Sequence, residues 1–262
     1  MLKTNFLKNK LENEKVVIGT WSVIPSPVVS DVISASGLDF LIIDFEHGPI
    51  SFETAQQMVM ACESRNVSPV MRVGGLISDE ILRALEIGVH CVHVPNITTV
   101  DEVKDIVVYS KYPPLGNRGF SPFTRAGGYG HGPAKGLHEN ANKSTLIAIH
   151  IEGREAFEQI ESILEVSGID IIFIGIYDLS KSLGIPGQVD HPLIKDMLQD
   201  VTKKITKARK YPGTIVTTAA QLQYAVEIGM KYITYSVDCE ILLRGYRNIV
   251  HELETLTCHK VI

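Results

Sequence analysis

The sequence predicts an α/β protein of the (β/α)8 TIM barrel class. Eight short β-branched runs alternate with segments that carry apolar residues at helical spacing, along the whole 262-residue chain. Strict alternation indicates a parallel sheet, and eight strand-helix units in about 250 residues are typical of a closed barrel. The pattern shows no break, so we expect a single domain over residues 1–262.

The eight predicted strands are short and rich in β-branched residues. They are 16–23, 39–45, 68–73, 90–95, 145–152, 170–175, 213–217 and 232–237. The segments between them repeat apolar residues every three to four positions, as in FETAQQMVMACES (52–64). Glycines at positions 37, 88, 168 and 229 follow predicted helices, where we expect left-handed C-terminal caps.

A doubly wound open sheet is the alternative fold. It would place a glycine-rich fingerprint after the first strand, and GTWSVIPSP (19–27) is not one. The long irregular segment 111–144 is rich in Pro, Gly, Asn and His. Loops of this length in a compact domain are usually functional, so we expect its RAGGYGHG part (125–132) to form a flexible rim of the active site.

Charge, hydropathy and cysteine content narrow the function classes. The chain has 25 basic and 30 acidic residues, a net charge of −5, and no basic run longer than three residues, which argues against nucleic acid and membrane partners. The N-terminal MLKTNFLKNKLENEK has no apolar core and predicts neither a signal peptide nor a membrane span. The four cysteines lie far apart without metal-type spacing, which indicates free thiols in a reducing cytoplasm.

Candidate chemistry lies where the predicted strands end, because barrel active sites form at the C-terminal face. The second strand ends in LIIDFEHGP, which places Asp44, Glu46 and His47 at the barrel mouth. A carboxylate beside an imidazole fixes the tautomer and raises the basicity that a general base needs. The same residues also suit a cap of the next helix, and the local sequence leaves both interpretations open.

Two further strands carry polar residues in apolar surroundings. Arg72 lies between Met71 and Val73 in the third strand and requires either an internal ion pair or an anionic ligand. His90 and His93 on the fourth strand are three residues apart and therefore face opposite sides. We interpret them as packing or surface histidines rather than as zinc ligands.

The fifth and sixth strands supply two carboxylates. Glu152 ends the fifth strand and Asp178 follows the sixth. Two carboxylates at neighbouring strand ends predict an oxygen-donor site for Mg²⁺ or Mn²⁺. The alternative is that Asp178 is a helix N-cap. His150 lies two residues before Glu152 and shares its face of the strand. No lysine lies inside a predicted strand, so carbonyl chemistry here would need a metal rather than a Schiff base.

Several motifs in register resemble the HpcH/HpaI family of metal-dependent pyruvate aldolases. They are GTW, LIIDFEHGP, PVMRV, EIGVHCVHVP, YPPLGNRG with RAGGYG, HIEGREAFEQIESIL and IGIYDLS. The resemblance implies a class II aldolase that cleaves a 4-hydroxy-2-oxo acid to pyruvate and an aldehyde with a divalent ion such as Mg²⁺, Mn²⁺ or Co²⁺. A condensing synthase, citrate-synthase-like, is the alternative within the family, and a barrel that binds a keto acid without turnover is a third.

The resemblance also implies roles for individual residues. His47 matches the catalytic base and Asp44 its partner. Arg72 matches the arginine that steadies the enolate oxygen. Glu152 and Asp178 match the two metal ligands.

This chain departs from the family pattern at two substrate-binding places. His150 stands where the family usually has glutamine, and the usual GP-x-DLS reads here as Gly175, Ile176, Tyr177 and Asp178. We expect His150, Gly175, Tyr177 and Asp178 to contact the substrate. If His150 contacts the substrate and becomes cationic near its reference pKa of about 6.5, it would add a titration to the pH profile. The alternative is a packed histidine bonded to a side chain of a neighbouring strand.

The resemblance further implies a hexamer in which neighbouring subunits exchange the last helix. The C-terminal segment CEILLRGYRNIVHELETL (239–256) has apolar residues around much of its circumference, which predicts a subunit contact. Glu86 occupies the position of the helix-end aspartate that reaches the neighbouring active site in the family, and is one methylene longer.

Overall fold

The structure is a computed structural model that describes residues 4–131 and 135–258. Eight parallel strands form a closed barrel in which each strand pairs with the next and the eighth pairs with the first. All eight predicted strands are present, and the barrel prediction is confirmed. The strands are β1 (Val17–Ser22), β2 (Phe40–Asp44), β3 (Ser68–Arg72), β4 (Cys91–Val94), β5 (Leu146–Ile151), β6 (Ile171–Ile174), β7 (Tyr211–Val216) and β8 (Tyr232–Val237).

Helices connect successive strands and cover the outside of the barrel. The connections after β4, β5 and β6 each contain two α-helices, and a single 3₁₀ turn lies at Gly128–Gly130. The helices are α1 (Phe6–Glu12), α2 (Pro27–Ser34), α3 (Phe52–Ser64), α4 (Ser78–Glu86), α5 (Val100–Ser110), α6 (Leu137–Ser144), α7 (Arg154–Glu158), α8 (Ile160–Glu165), α9 (Ile176–Ser182), α10 (Pro192–Lys207), α11 (Ala219–Glu227) and α12 (Asp238–Cys258).

Local sequence signals set the ends of these helices. Ser51 Oγ accepts the Thr54 N–H at the start of α3 at 3.2 Å, and Thr218 Oγ1 accepts the Gln221 N–H at the start of α11 at 3.2 Å. The four glycines predicted to follow helices have φ angles between 91° and 95°. This left-handed conformation is the one that favours glycine, so the predicted caps are confirmed.

The N-terminal end of the barrel is filled with apolar side chains. Tyr232 stacks on Phe40 with 4.2 Å between ring centroids, and Leu7 and Leu11 of α1 close the floor. Gly19 is required on β1 because a Cβ there would collide with the Phe40 ring. A ligand therefore has room only at the opposite, C-terminal end.

Two buried lysines at the N-terminal end donate hydrogen bonds to backbone carbonyl oxygens. Lys111 Nζ donates to the carbonyl oxygens of Asn142 and Thr145 at 3.0 and 2.8 Å. Lys210 Nζ donates to two carbonyl oxygens between α8 and β6 at 2.8 and 2.9 Å. Burial lowers the pKa of both lysines, and their hydrogen bonds hold together the loops that precede β5, β6 and β7.

The last helix is anchored at its start and exposed beyond it. Asp238 accepts hydrogen bonds from Ser22 Oγ and from the backbone N–H groups of Val23, Ile24 and Cys239, at 2.7 to 3.2 Å. Eight large apolar side chains of α12 are exposed by 39% to 68%: Ile241, Leu242, Leu243, Tyr246, Ile249, Val250, Leu253 and Leu256. Neither α12 nor any other helix of residues 4–131 and 135–258 is long and apolar enough to span a membrane.

Candidate active site

A cavity of about 370 Å³ opens at the C-terminal end of the barrel. This size suits a small molecule. Every predicted site residue except Glu86 lines it: Asp44, His47, Arg72, His150, Glu152, Gly175, Tyr177 and Asp178. The cavity therefore brings together groups that come from the ends of β2, β3, β5 and β6.

Arg72 is held between two carboxylates at the edge of this cavity. Its Nε and Nη2 donate to the two oxygens of Asp44 at 2.8 and 2.6 Å, and Nη1 pairs with Glu46 Oε2 at 2.8 Å. The bidentate contact follows from strand register, since Asp44 of β2 lies beside Arg72 of β3. The guanidinium also lies over the Trp21 ring at 4.3 Å. The internal ion pair considered for Arg72 is thus formed at the cavity wall.

Asp44 does not orient the imidazole of His47, and the expected carboxylate-imidazole pair is wrong. Both oxygens of Asp44 are engaged by Arg72, which offers a planar pair of donors. Asp44 Oδ1 also accepts the backbone N–H groups of Glu46 and His47 at 3.1 and 3.3 Å. Asp44 therefore shapes the turn that carries His47, whose exposed side chain stands free in the cavity.

Glu152 is a buried carboxylate with one oxygen bonded. Its Oε1 accepts the backbone N–H of Asn96 at 2.8 Å, and the Asn96 side chain donates to Glu46 at 2.9 Å. Asn96 has a φ of 57°, a left-handed conformation that asparagine tolerates. Burial raises the pKa of Glu152, and the nearby carboxylates of Asp178 and Glu46 raise it further. Glu152 Oε2 has no hydrogen-bond donor within the part of the chain that the structure describes.

Asp178 and Tyr177 lie on the first turn of α9, at the cavity rim. The Asp178 side chain is 55% exposed, with Lys181 Nζ at 3.7 Å. Helix α9 has no side-chain cap, so the alternative that Asp178 caps it is wrong. Gly175 precedes the helix, and a Cβ there would collide with the Glu152 carboxylate. The glycine therefore lets the β6–α9 turn approach Glu152 closely.

The donor set fits a divalent cation bound by few protein ligands. Glu152 offers a buried oxygen that has no donor among the described residues. Asp178 adds a second carboxylate on the same cavity. Among the described residues, no three or more His, Cys, Asp and Glu side chains converge to hold a metal. Water and substrate oxygens would complete the coordination, as is usual for Mg²⁺.

His150 lies inside the barrel beneath the cavity. Its ring stacks on Phe173 with 4.7 Å between centroids, and Trp21 stands edge-on at 5.8 Å. His150 Nε2 is 2.8 Å from His93 Nδ1. Burial lowers the pKa of His150 well below its usual value, and His93 and Arg72 lower it further. The expected titration near 6.5 is therefore wrong, because this imidazole is neutral there.

His90, which immediately precedes β4, and His93 within it face opposite sides of the strand, as predicted. His93 is fully buried in the barrel interior. His90 is 4% exposed and contacts Ser68 Oγ at 3.1 Å and Glu63 of α3 at 3.5 Å. Both are packing histidines, and the surface alternative is wrong for both.

Segment 111–131 packs on the outside of the barrel and does not line the cavity of its own chain. Arg125 pairs with Glu63 and donates to the Ile87 carbonyl oxygen at 3.0 Å. The Ala126 N–H donates to the carbonyl oxygen of Glu86, the last residue of α4, at 3.0 Å. The prediction that residues 125–132 form a rim of the active site is therefore wrong for the described residues of one chain. Residues 132–134 lie outside the described residues.

Sequence reasoning gave no site role to Trp21, Phe173 or Asn96. Trp21 and Phe173 line the cavity and enclose His150. Their inward direction follows from the period of two along a strand, counted from Gly19 and Gly175. The sequence carries no comparable signal for Asn96, because its contacts with Glu46 and Glu152 depend on the left-handed backbone conformation of Asn96 itself.

Comparison with known proteins places this site in a family. The model of the HpcH/HpaI aldolase/citrate lyase family matches residues 18–244. A 4-hydroxy-2-oxo-heptane-1,7-dioate aldolase of Salmonella arizonae is 32% identical over 242 residues, covering 92% of this chain and 91% of that protein. A pyruvate aldolase of Rhizobium etli is 32% identical over 244 residues, covering 93% and 95%.

Solved structures agree with the sequence comparison. An HpcH/HpaI aldolase from Desulfitobacterium hafniense has a TM-score of 0.90 at 29% identity, covering 95% of this chain and 96% of that one. The citrate synthase SbnG has a TM-score of 0.85 at 29% identity, covering 97% and 98%. Both are similar over nearly the whole barrel.

The fold and the charged cavity define a (β/α)8-barrel lyase that acts on a small molecule. The chain belongs to the HpcH/HpaI aldolase/citrate lyase family, and it is an aldolase, a carbon–carbon lyase. The resemblance found in the sequence is confirmed. Members of this family depend on a divalent metal ion.

Proposed function

We propose that the protein reversibly cleaves a 4-hydroxy-2-oxo acid to pyruvate and an aldehyde. The observation that carries this proposal is the single cavity lined by His47, Arg72, Glu152 and Asp178. The names of the two relatives at 32% identity, a 4-hydroxy-2-oxo-heptane-1,7-dioate aldolase and a pyruvate aldolase, support the same substrate class.

Glu152 and Asp178 are the residues that would hold the metal, which we propose to be Mg²⁺, Mn²⁺ or Co²⁺. When bound, such an ion acts as a Lewis acid that polarises the keto group of the substrate. Asn96 keeps Glu152 oriented through one oxygen and leaves the other available. Gly175 leaves space beside that second oxygen, which a larger residue would fill.

His47 is the proposed general base. It takes the proton of the C4 hydroxyl as the C4–O bond becomes a carbonyl. The C3–C4 bond breaks, and its electron pair moves to C3 and the keto oxygen. The imidazolium then returns the proton to C3, which yields pyruvate. The backbone N–H groups of Glu46 and His47 donate to Asp44 Oδ1, and these hydrogen bonds fix the turn that carries the imidazole.

Arg72 is proposed to stabilise the negative charge that develops on the keto oxygen. A guanidinium has five N–H donors, and the contacts with Asp44 and Glu46 engage three of its nitrogens once each. One N–H on each terminal nitrogen is therefore left for the substrate. The two carboxylates hold the guanidinium in one orientation, so it need not rearrange during the reaction.

The carboxylate end of the substrate is proposed to lie at the turn from β6 into α9. The first N–H groups of a helix have no acceptor within it, and here these belong to residues that follow Gly175. Tyr177 stands at the same rim. His150 would contact the keto oxygen from below.

A condensing synthase is the second candidate. The observation that favours it is the citrate synthase structure, which matches at 29% identity over 97% of this chain. The electron pair at C3 of a 2-oxo acid, the position that is protonated in the cleavage reaction, would then attack another electrophile. Such an enzyme would consume oxaloacetate or an acyl thioester instead of releasing pyruvate from a 4-hydroxy-2-oxo acid.

A substrate panel tests the proposal. Purified protein is assayed for pyruvate release from several 4-hydroxy-2-oxo acids, with Mg²⁺, Mn²⁺ or Co²⁺ and after exhaustive chelation. We expect release that requires metal and recovers when metal is restored. Activity that survives chelation, or a lysine adduct trapped by borohydride with pyruvate, would contradict the proposal. Product formation only with a second electrophile would favour the synthase, and binding without turnover would favour a non-catalytic barrel.

We further propose that the protein is a homo-oligomer, a hexamer in which α12 packs on a neighbour. The exposed apolar side chains of α12 and of Val28 and Val32 on α2 support a contact between copies. Glu86, which lies outside its own cavity, would then reach the active site of a neighbouring subunit. Sedimentation should show an assembly larger than a dimer at micromolar concentration, and a monomer there would contradict this.

The net charge and the cysteines bear on the class of substrate and on the cellular location. A net charge of −5 supports a small-molecule substrate rather than nucleic acid or a membrane surface. Cys62, Cys91 and Cys239 are free thiols, which supports a reducing, cytoplasmic location.

A further inference from the structure

Two histidines form a hydrogen-bonded pair inside the barrel, beneath the cavity. His93 Nδ1 and His150 Nε2 are 2.8 Å apart, and neither residue is more than 1% exposed. A contact of this length between ring nitrogens contains one proton, because two protons would collide and two lone pairs would repel each other. One ring is therefore the donor and the other the acceptor.

The surroundings of His93 decide which ring donates. His93 Nε2 is buried and has no hydrogen-bond partner among the described residues. If Nδ1 accepted, a neutral His93 would carry its proton on Nε2, as an unpaired N–H enclosed by Trp21, Phe173 and Tyr232. A buried N–H donor without an acceptor costs free energy. His93 therefore donates from Nδ1, and its Nε2 carries only a lone pair.

The surroundings of His150 lead to the same assignment. If Nε2 accepts from His93, the neutral ring carries its proton on Nδ1, which is 4.0 Å from Glu152 Oε2. The opposite tautomer would place a lone pair against that carboxylate. A distance of 4.0 Å is too long for a hydrogen bond, so the Nδ1–H group is left for a ligand atom between the two side chains.

Aromatic contacts fix the direction of this donor. Phe173 stacks on one face of the His150 ring at an interplanar angle of 27°, and Trp21 meets it edge-on at 82°. The charged and titratable groups near the pair are Arg72 and His47 on the cavity side and Glu152 on the same strand. Rotation of the ring would break the stack and the contact with His93 together.

We propose that His93 is a positioning residue, which fixes His150 in the tautomer that donates from Nδ1 to the keto oxygen of the bound 2-oxo acid. The identity of that oxygen rests on the proposed function, whereas the tautomer does not. Loss of the His93 donor would let His150 exchange between tautomers, and part of the enzyme would then present a lone pair to the substrate.

Nitrogen NMR of histidine tests the tautomer directly. The chain has nine histidines, so ¹⁵N-histidine labelling of the Mg²⁺-loaded enzyme gives a small set of signals, which His93→Asn and His150→Gln assign. Protonated and unprotonated ring nitrogens resonate in separate regions. We expect His150 and His93 both to be protonated at Nδ1 alone. Protonation of His150 at Nε2 would overturn the proposal.

Two substitutions of His93 separate positioning from packing. His93→Asn places an amide N–H near the position of Nδ1–H, whereas His93→Leu fills a similar volume without a donor. We expect the leucine variant to lose about tenfold or more in kcat, with KM changed less than about threefold, because the lost donor acts on charge formed in the transition state. The asparagine variant should stay within about threefold of the wild-type kcat. Equal rates in the two variants would overturn the positioning role.

His90→Asn is the matched control, since it removes the buried histidine that immediately precedes β4 and faces the opposite side of the strand. Its kcat should stay close to that of the wild type. A comparable loss of kcat there would show that any buried substitution in or next to β4 disturbs the enzyme, and would also overturn the proposal. If the wild-type enzyme cleaves no 2-oxo acid, the proposed function fails while the NMR measurement still decides the tautomer.

Discussion

The two ends of the barrel both bury charged side chains, and they use them differently. At the N-terminal end, Lys111 and Lys210 each donate to two backbone carbonyl oxygens. At the C-terminal end, Glu152 has one oxygen without a donor among the described residues, and the exposed side chain of His47 lines the cavity. Burial of charge therefore does not by itself indicate function. A polar group that faces the cavity and has no bonding partner among the described residues is the more specific sign.

The largest expected effect comes from Glu152→Gln. The amide keeps an acceptor for the Asn96 N–H but removes the charge, so kcat should fall by roughly 10³-fold or more, the equivalent of several kcal/mol of lost Lewis-acid stabilisation. The metal-free variant should be at least as stable as the wild type, because burial disfavours the wild-type carboxylate. Pyruvate release and urea unfolding measure the two quantities. If the Glu152→Gln variant lost stability but kept its activity, Glu152 would be a structural residue. Its role would then not differ from that of the buried lysines at the N-terminal end.

His47→Ala isolates the proposed base. We expect kcat to fall by about 10²–10⁴-fold with little change in KM, because a general base contributes mainly to the transition state. Stability should change by less than about 0.5 kcal/mol, since the imidazole is exposed. A near-normal kcat would assign the proton transfer to another group.

Arg72→Lys tests the planar fork at the cavity wall. A point charge does not reproduce the two contacts with Asp44, and we expect a loss of about 10²-fold in kcat. Arg65→Lys is the matched control, because Arg65 makes a similar fork to Asp31 at 2.7 and 2.9 Å on the exposed surface. Exposed pairs contribute little to stability, so this control should be neutral in rate and unfolding. A neutral Arg72→Lys would exclude Arg72 from the chemistry.

Lys210→Met probes the opposite end and should have the smallest effect on rate. It leaves the two carbonyl oxygens between α8 and β6 without their donor, which should lower the free energy of unfolding by about 1–3 kcal/mol. Because Lys210 precedes β7, far from the cavity mouth, kcat should be unchanged. Lys207→Met on the exposed side of α10 is the control for loss of charge. If the Lys210→Met variant had a reduced kcat under conditions where it is fully folded, the two ends of the barrel would be coupled.

The sequence predicted the barrel well because its signals are local. Strand lengths, helix caps and the four left-handed glycines depend on neighbours within a few residues. The strand-end residues could also be predicted, since closure of a parallel barrel gathers the C-terminal ends of its strands.

Contacts between strands could not be predicted in the same way. The partner of Asp44 depends on the register of β2 against β3, which places Arg72 beside it. The neutral state of His150 depends on burial by Phe173, Trp21 and His93, which come from three other strands. A single strand carries no signal for either.

Asp238 links the last helix to the wall of the active site. It ties the start of α12 to the end of β1, and its neighbours Val237 and Cys239 line the cavity wall. A contact made by a neighbouring copy with α12 would therefore act on a helix whose first turn is part of the active-site wall. If α12 is the assembly contact, dilution should dissociate the assembly. Specific activity should then fall at low enzyme concentration, before the barrel itself unfolds.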